Sequence, residues 1–494
     1  MSGFAGTTGL GALVVVLGAI APLALFLVEE ARIAGAPGLP LDDSWIHLHF
    51  ARNLAEGVGF AYNPGVPVAG STAPLWTLLL GGVFAVAGPS LAAVKVVGVA
   101  TTLAAALTTR TAALAWGAPP VLATGAALAL LWTGGTAWGA LSGMEVPLAA
   151  LLVAAALLAH ARAQPLPTAL LAALAALARP EAALLIPLLA AARPPLPRRL
   201  GLFALVTVLA FAPAVAFSLA TVGAPVPATA ISKVEGGLFG WLAGKPEPWT
   251  RLLLGRPWEF VREWAAWLTR THGFLPWLLV PALGMVGWRH GRALGLPALA
   301  VLVHPVAMAL LAPHQGPDFQ EGRYSIHLLP LVFVVLAGAA RPVGRRWQVA
   351  LVSGWLLLAL GRLPPASERY AWAVQNINAM HVHLGHWVNA HLPPRARLAL
   401  NDIGAIAYVS RREVIDLMGL VTPEILAYRR QGESGVIRFV ALTCPDYLIV
   451  FPAWFPDLTA QRWLVEPVYR VHLERNLVAG APEMVVYRLL RCAV

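Results

Sequence analysis

Apolar runs of about 20 residues, separated by short polar breaks, recur along residues 1–363 and constrain this chain most. Each run has the length that an α-helix needs to cross roughly 30 Å of hydrocarbon. Helices are the expected spanning form because lipid satisfies no backbone polar groups. Charged residues make up only 12% of the chain, against roughly 25% in soluble domains. The sequence therefore predicts an all-α polytopic membrane bundle.

We expect about eleven transmembrane helices, the first of them a retained helix rather than a cleaved signal. The run 74–88 is short, and we expect it to be re-entrant or juxtamembrane; if it does span, the count becomes twelve. The apolar runs cover 9–28, 74–88, 90–109, 119–138, 146–159, 166–178, 181–192, 200–222, 274–288, 293–312, 326–340 and 347–361.

The composition changes after Arg362, where charged residues, asparagine, histidine and short strand-like runs become frequent. We therefore predict two domains: a membrane domain over 1–363 with a large first outer loop, 29–73, and a small soluble α/β domain over 364–494. Within the second, ARLAL and VIDL are typical of strands, and 404–408 of a short helix.

Arginines in alternate short loops orient the bundle. The positive-inside rule puts these loops in the cytoplasm, so that 29–73 and 364–494 lie outside the plasma (inner) membrane. They are Arg110, Arg162, 193–199, 289–292 and 341–346. The same loops account for the net charge of +11, so we expect anionic headgroups rather than nucleic acid as partners. Whether Cys444 and Cys492 pair stays open.

The outer loop 29–73 contains two adjacent carboxylates, Asp42 and Asp43, at the start of a helical pattern that ends before Gly57. Ile46 and Phe50 would lie on its apolar face. One aspartate can serve as the helix N-cap. A single cap needs a single carboxylate, so the pair leaves function and capping as open alternatives.

Further ionisable residues fall at predicted outer helix ends. Glu145, Arg179 and Glu181 lie next to apolar runs, where charge is costly and indicates a functional site; an Arg179–Glu181 ion pair or a helix-start glutamate is the alternative. Lys233 and Arg323 are cations beside outer helix ends, and headgroup contact is their alternative. Carboxylates can deprotonate an alcohol, and cations can neutralise a phosphate, so this combination suits sugar transfer from a lipid phosphate to a hydroxyl.

Several motifs, in order, resemble those of the GT-C superfamily of polyprenyl-phosphate-dependent glycosyltransferases, and the subgroup most similar is that of bacterial terminal arabinofuranosyltransferases. They are DDSWIHLHFARNLAEGVGF with a later STAPLW, LSGMEVPL, ARPEA, PATAISK, GRYSIHLLPL, and NDIGAIAY followed by IDLMGL. Ser44-Trp45 replaces the family's Ala-Tyr, and Ala228 replaces an asparagine before Thr229. These departures bear on the choice of donor or acceptor.

The resemblance implies an inverting transfer from a polyprenyl-phosphate sugar to a glycan, lipid or protein hydroxyl on the extracytoplasmic face. It implies that Asp42 or Asp43, with the choice left open, is the general base. The substrate-binding residues implied are Glu145, Arg179, Glu181, Lys233, His314 and Arg323, with the phosphate held by Lys233 and Arg323 and, more weakly, by His314.

We expect no cofactor, although Asp42, Asp43 and Glu145 together offer the oxygen ligands that a divalent cation prefers. The histidines of HVHLGH (381–386) fit no zinc spacing and are typical of a polar helix. The tryptophans and arginines of 246–270 favour a helix in the headgroup plane.

A membrane transporter or flippase for a lipid-linked or anionic substrate is the alternative function. Transporters tend to show internal repeats and polar groups near the midplane, which we do not find.

Overall fold

The computed structural model describes residues 2–492 apart from 234–235, 243, 245–246 and 312, with the backbone alone for 2–8. The chain is mostly helical, as predicted. Up to residue 222 the helices are Ser2–Gly18, Ile20–Ile33, Asp42–Ala55, Pro74–Ala87, Leu91–Ala115, Pro120–Leu131, Gly134–Leu141, Val146–Ala161, Pro165–Ala178, Pro180–Leu184 (3₁₀), Leu185–Ala191 and Leu196–Val222.

The helices after residue 227 are shorter on average, with one long exception at Arg345–Ile377. They are Ala228–Lys233, Gly237–Leu242, Arg251–Gly255 (π), Arg256–His272, Leu275–His290, Arg292–Ala298, Ala300–Leu311, Phe319–Gly322, Ile326–Leu328 (3₁₀), Leu329–Ala339, Arg345–Ile377, Asn378–Val382 (π), His383–His391, Gly404–Ser410, Ile425–Arg429, Glu433–Thr443 and Pro456–Ala460.

Among the described residues, six helices are long and apolar enough to cross a membrane, or seven if the pair Pro120–Leu131 and Gly134–Leu141, bent by 58°, is one span. Four other apolar helices are shorter, Pro74–Ala87 among them. The chain is thus a multi-pass membrane protein, while the count of about eleven spans stays a prediction. The runs 166–178 and 181–192 are separated by a break in the helix at Arg179.

The chain forms two compact units. Unit 1 comprises residues 1–27, 95–213 and 234–367, and unit 2 comprises 28–94, 214–233 and 368–494. The predicted boundary at 363/364 lies inside helix Arg345–Ile377. Each unit therefore draws on chain segments that are far apart in the sequence.

Unit 2 contains both sheets. The hairpin pairs β1 (Ala61–Asn63) with β2 (Val66–Pro67). The second sheet has the order β4-β3-β5-β7-β6, with strands β3 (Leu398–Leu400), β4 (Val414–Asp416), β5 (Tyr447–Val450), β6 (Val465–His472) and β7 (Glu483–Leu489). β3 pairs in parallel with β4 and β5, and the other pairs are antiparallel. The predicted small α/β region is confirmed.

Alternation along the strands builds a core on each face of this sheet. Leu398 and Leu400 of β3 point to one face, where they pack with Leu384 of helix His383–His391. Ala399 points to the other face, towards Phe439. Successive side chains of a strand point to opposite faces of the sheet. The buried strand β3 therefore contributes side chains to the cores on both faces.

A disulfide joins Cys444 and Cys492, whose Cα atoms are 5.4 Å apart. Replacing Cys444 by serine should lower the free energy of unfolding of unit 2 by about 2–4 kcal/mol, because the bond restricts the unfolded chain. Denaturant unfolding of the oxidised protein, with and without reductant, measures this. Reductant should destabilise the wild type and leave the Cys444→Ser variant unchanged; equal sensitivity of the two proteins would contradict the bond.

Candidate functional site

Helix Asp42–Ala55 of unit 2 carries the two predicted catalytic aspartates in its first turn. Its N-cap is Leu41, so neither aspartate is the N-cap of this helix. Negative charge in a first turn is favoured by the helix dipole. The predicted helix and its apolar face are confirmed, with Ile46 and Phe50 buried.

The two aspartates have different surroundings, and Asp42 is held by backbone. Its carboxylate oxygens accept hydrogen bonds from the backbone N–H groups of Gly404 and Ala405, each at 2.7 Å. Asp42 therefore caps a helix that begins 362 residues later. Burial raises the pKa of Asp42 to about 6, against the lowering effect of the His381 imidazole and of the two N–H groups.

Gly404 is required at this cap. A Cβ at residue 404 would collide with the backbone carbonyl oxygen of Asp42 and lie 2.8 Å from its carboxylate. We expect Gly404→Ala to destabilise unit 2 by about 1–3 kcal/mol, the usual cost of overpacking. The control is Gly82→Ala, where a Cβ meets open space. Thermal unfolding in detergent compares the two variants, and equal stabilities would mean that this contact is not tight.

Residues 401–405, the clamp segment, bind several parts of unit 2. The carboxylate of Asp402 lies 2.9 Å from Nε2 of the buried His381, and the carbonyl of Ile403 accepts a 2.6 Å hydrogen bond from the Tyr62 hydroxyl. Neither Asp402 nor His381 is predicted from the sequence to lie beside Asp42. The NDIGA motif immediately after a predicted strand was the available signal.

Asp43, the second of the two predicted catalytic aspartates, is partly exposed and faces a cation. Its Oδ2 lies 3.7 Å from Nζ of Lys233, and the two side chains are 33% and 28% exposed. Lys233 ends the helix Ala228–Lys233, which is fixed to the outer loop because Thr229 donates a 3.0 Å hydrogen bond to the carbonyl of Gly70. The PATAISK motif thus positions a lysine against Asp43, and both side chains remain accessible.

Other motif residues have structural roles in unit 2. Arg52 donates to the carbonyl of Tyr408 at 2.6 Å and stacks on its ring. Asn53 donates to the carbonyls of Ala61 and Tyr62 and so holds the hairpin. Arg52 and Asn53 therefore tie helix Asp42–Ala55 to Tyr408 and to the hairpin.

Unit 1 contains a buried ionic network centred on Arg179. This arginine lies between helices Pro165–Ala178 and Pro180–Leu184, and its side chain is 4% exposed. It forms two 3.1 Å hydrogen bonds to the Glu181 carboxylate and one to the equally buried Glu145. The Arg179–Glu181 ion pair expected as the alternative is present, and Glu145 extends it.

Arg323 belongs to the same network. Its Nε lies 3.8 Å from Oε1 of Glu145, and its Nη1 donates to Gln320 at 2.9 Å. Gln320, Glu321 and Gly322 all have positive φ, which for the first two is a strained conformation of the kind that clusters at functional sites. The charges of the two guanidinium groups, Arg179 and Arg323, balance those of the two carboxylates, Glu145 and Glu181. His314 lies half-buried in the same unit.

The histidines of HVHLGH point to different partners. His381 is buried beside Asp402, whereas the exposed His383 bonds the hydroxyl of Tyr469 at 2.8 Å. In the part of the chain that the structure describes, no three or more histidine, cysteine, aspartate or glutamate side chains are grouped as a metal would need. In segment 246–270, Trp264 and Trp267 are buried in unit 1, while Trp258 is exposed.

A family model matches the C-terminal part of the sequence. Residues 371–487 match a family described as a domain of unknown function (DUF8728). No curated protein matches the sequence.

Solved structures match over nearly the whole chain. ArnT from Cupriavidus metallidurans bound to undecaprenyl phosphate has a TM-score of 0.56 and 14% identity, covering 96% of this chain and 97% of that one. The Archaeoglobus fulgidus oligosaccharyltransferase has a TM-score of 0.57 and 13% identity, covering 95% and 73%. Both are GT-C glycosyltransferases, so the predicted GT-C fold is confirmed. The similarity to the arabinofuranosyltransferase subgroup stays a prediction.

Proposed function

We propose that the chain is an inverting glycosyltransferase. It moves a sugar from a polyprenyl-phosphate donor to a hydroxyl of a glycan, lipid or protein on the extracytoplasmic face. The shared fold supports this, as does the binding of undecaprenyl phosphate by ArnT. The pair of Asp43 and Lys233, a carboxylate and an ammonium 3.7 Å apart and both partly exposed, is the observation that carries the proposal.

In the proposed reaction the acceptor oxygen attacks the anomeric carbon and the bond from that carbon to the phosphate oxygen breaks. Asp43 takes the acceptor proton, and polyprenyl phosphate leaves with the bonding electron pair. A single in-line displacement inverts the anomeric centre. The ammonium group of Lys233, 3.7 Å from Asp43, can neutralise a phosphate.

We assign the base to Asp43 because the carboxylate of Asp42 is already used. Both Asp42 oxygens accept backbone N–H bonds, and its raised pKa reflects burial. A general base must reach the proton that it removes, and the carboxylate of Asp43 is partly exposed. Asp42 then acts as a positioning residue that fixes the first turn of the helix.

Substrate binding by Glu145, Arg179, Glu181, His314 and Arg323 is part of the proposal. We propose that the guanidinium of Arg323, whose Nε lies 3.8 Å from Oε1 of Glu145, is the group of this network that meets the anionic part of the donor. Arg179 donates hydrogen bonds to the carboxylates of Glu145 and Glu181 and would hold these two carboxylates in position.

A divalent cation fits this donor set poorly. Asp42 bonds backbone N–H groups, Asp43 faces Lys233, and within unit 1 Glu145 faces Arg179. A divalent cation would have to displace the N–H groups, the lysine and the arginine that already bind these carboxylates. No step of the proposed reaction therefore uses a divalent cation.

An extracytoplasmic location for the reaction has two supports. The arginine-rich loops orient the bundle, and the Cys444–Cys492 disulfide suits an oxidising compartment. Labelling of cysteines introduced at the exposed residues Val66 and Trp463 from outside intact cells tests this side, and labelling at 463 alone would contradict it.

Purified protein with radiolabelled polyprenyl-phosphate sugars tests the function. A glycosyltransferase consumes one donor and releases free polyprenyl phosphate when acceptor is present. Proteoliposomes that carry the intact donor across the bilayer, without cleaving it, would instead favour the flippase.

Lys233→Met should weaken donor binding about tenfold or more, because a charge-assisted hydrogen bond contributes roughly 1.5–3 kcal/mol. Arg323→Met should do the same if it also meets the phosphate. Donor affinity in nanodiscs measures the effect, with a phosphate-free analogue as the control ligand. Unchanged donor affinity in both variants would remove these cations from the donor site.

A further inference from the structure

Residues of three arginine-rich loops of unit 1, 193–199, 289–292 and 341–346, lie close to Trp116. This part of unit 1 is called the basic-loop end. The Arg193 guanidinium lies 5.8 Å from the Trp116 ring centroid, and the His290 ring contacts the same indole edge-on at 5.5 Å. Arg341 also reaches this point: its Nη1 lies 3.2 Å from where a Cβ would stand on Gly117. Cationic and titratable groups from separate loops therefore converge on one buried tryptophan.

Part of this basic charge caps helices. Arg199 and Arg292 donate to carbonyl oxygens near the end of helix Leu185–Ala191, at 3.1–3.3 Å. His160 lies 2.8 Å from the carbonyl oxygen of Ala293. Basic groups commonly satisfy the last carbonyls of helices, so these three residues need no ligand.

Other hydrogen-bond donors at the same end lack acceptors. Within the described residues, Nε1 of Trp116 and Nε of Arg193 are buried and have no hydrogen-bond partner. Buried donors of this kind need an explanation, and an arginine side chain can turn its N–H groups towards an incoming acceptor. The loops that supply these residues contain no aspartate or glutamate. An anion with several acceptor oxygens would supply the hydrogen-bond acceptors that Trp116 and Arg193 lack.

An apolar groove of about 370 Å³ begins beside Arg341. Ala340 and Pro342, the two chain neighbours of Arg341, line it. It continues between helices past Leu122, Leu278 and Trp355. A hydrocarbon chain fits such a lining, and its polar end would lie at the arginines.

We propose that unit 1 binds an anionic phospholipid, with its phosphate at Arg193 and Arg341 beside Trp116 and one acyl chain in the groove. A zwitterionic lipid would leave the basic charge uncompensated. The charge-based topology puts this end in the cytoplasmic leaflet, whose anionic lipids attract basic residues and enter pockets of this type. This lipid is separate from the sugar donor, whose reaction is proposed on the other face.

Native mass spectrometry of the full chain with phosphatidylglycerol tests the site. The double variant Arg193→Gln, Arg341→Gln should bind this lipid roughly tenfold or more weakly, the loss expected for charge-assisted hydrogen bonds. The matched control, Arg345→Gln with Arg346→Gln, removes the same charge from exposed residues of the same basic end. It should retain the lipid at the wild-type level.

Three outcomes would overturn the proposal. Equal losses in both double variants would mean general attraction to basic charge. Equal binding of phosphatidylcholine would remove the requirement for an anionic headgroup. Preferential displacement of phosphatidylglycerol by polyprenyl phosphate would assign the groove to the donor. Inorganic phosphate should not displace the lipid at equal concentration, since it has no chain for the groove.

Discussion

Asp43→Asn is expected to lower the rate of sugar transfer by about 10²–10⁴, the usual loss when a general base is removed. Asparagine keeps the size of the side chain but cannot accept the acceptor's proton. Folding should survive because the ion pair of Asp43 with Lys233 is partly exposed and ion pairs in contact with solvent contribute little to stability. Single-turnover assays with saturating donor measure the effect, alongside a thermal unfolding curve.

Glu56→Gln is the matched control for this change. Glu56 immediately follows helix Asp42–Ala55 and pairs with the exposed Arg411 at 3.0 Å. The Glu56→Gln variant loses the same charge as Asp43→Asn, and we expect it to transfer sugar at the wild-type rate. Normal transfer by a folded Asp43→Asn protein, together with its loss in a folded Asp42→Asn protein, would move the base to Asp42.

Arg179→Met should destabilise unit 1 by about 3–5 kcal/mol. Removing one partner of a buried ion pair leaves uncompensated charge, and here the carboxylates of Glu145 and Glu181 would both lose Arg179. Denaturant unfolding in detergent measures the change. The effect should appear without any substrate, which separates it from a loss of binding.

Two further variants define the origin of that effect. Arg198→Met removes an exposed arginine from the same unit and should change stability by less than about 0.5 kcal/mol, as is usual at the surface. Adding Glu181→Gln to Arg179→Met should recover part of the loss, because less charge is then stranded. No recovery would point to lost packing on the Tyr324 ring, which lies 4.7 Å from the guanidinium.

The sequence predicted what depends on neighbours along the chain. The helix at Asp42 follows from its apolar spacing, and strands β3 and β4 follow from short apolar runs. The partner of Asp42 could not be predicted this way, since a cap supplied by Gly404 and Ala405 depends on tertiary contact. Two adjacent aspartates look alike in a sequence. Only their surroundings distinguish Asp42, which caps a helix, from Asp43, which is partly exposed and faces Lys233.

The ionisable residues of unit 1 illustrate a second limit. Hydropathy marks Arg179 as unusual, but it does not say whether a nearby carboxylate neutralises the charge. Helix counting is limited in a similar way, because Pro74–Ala87 and Val146–Ala161 are apolar yet shorter than a full span. Hydropathy reports composition, whereas the bend or break of a helix is set by tertiary contacts.

The clamp segment has a consequence for biogenesis. The first turn of helix Asp42–Ala55 is synthesised well before the N–H groups that hold it, which belong to residues 362 and 363 positions later. At roughly 5–20 residues per second, that interval is about 20–70 s. During translation the acidic loop is therefore present without the backbone that fixes it. A nascent chain arrested before residue 404 would carry Asp42 without the backbone N–H groups of Gly404 and Ala405 that bind its carboxylate in the folded chain.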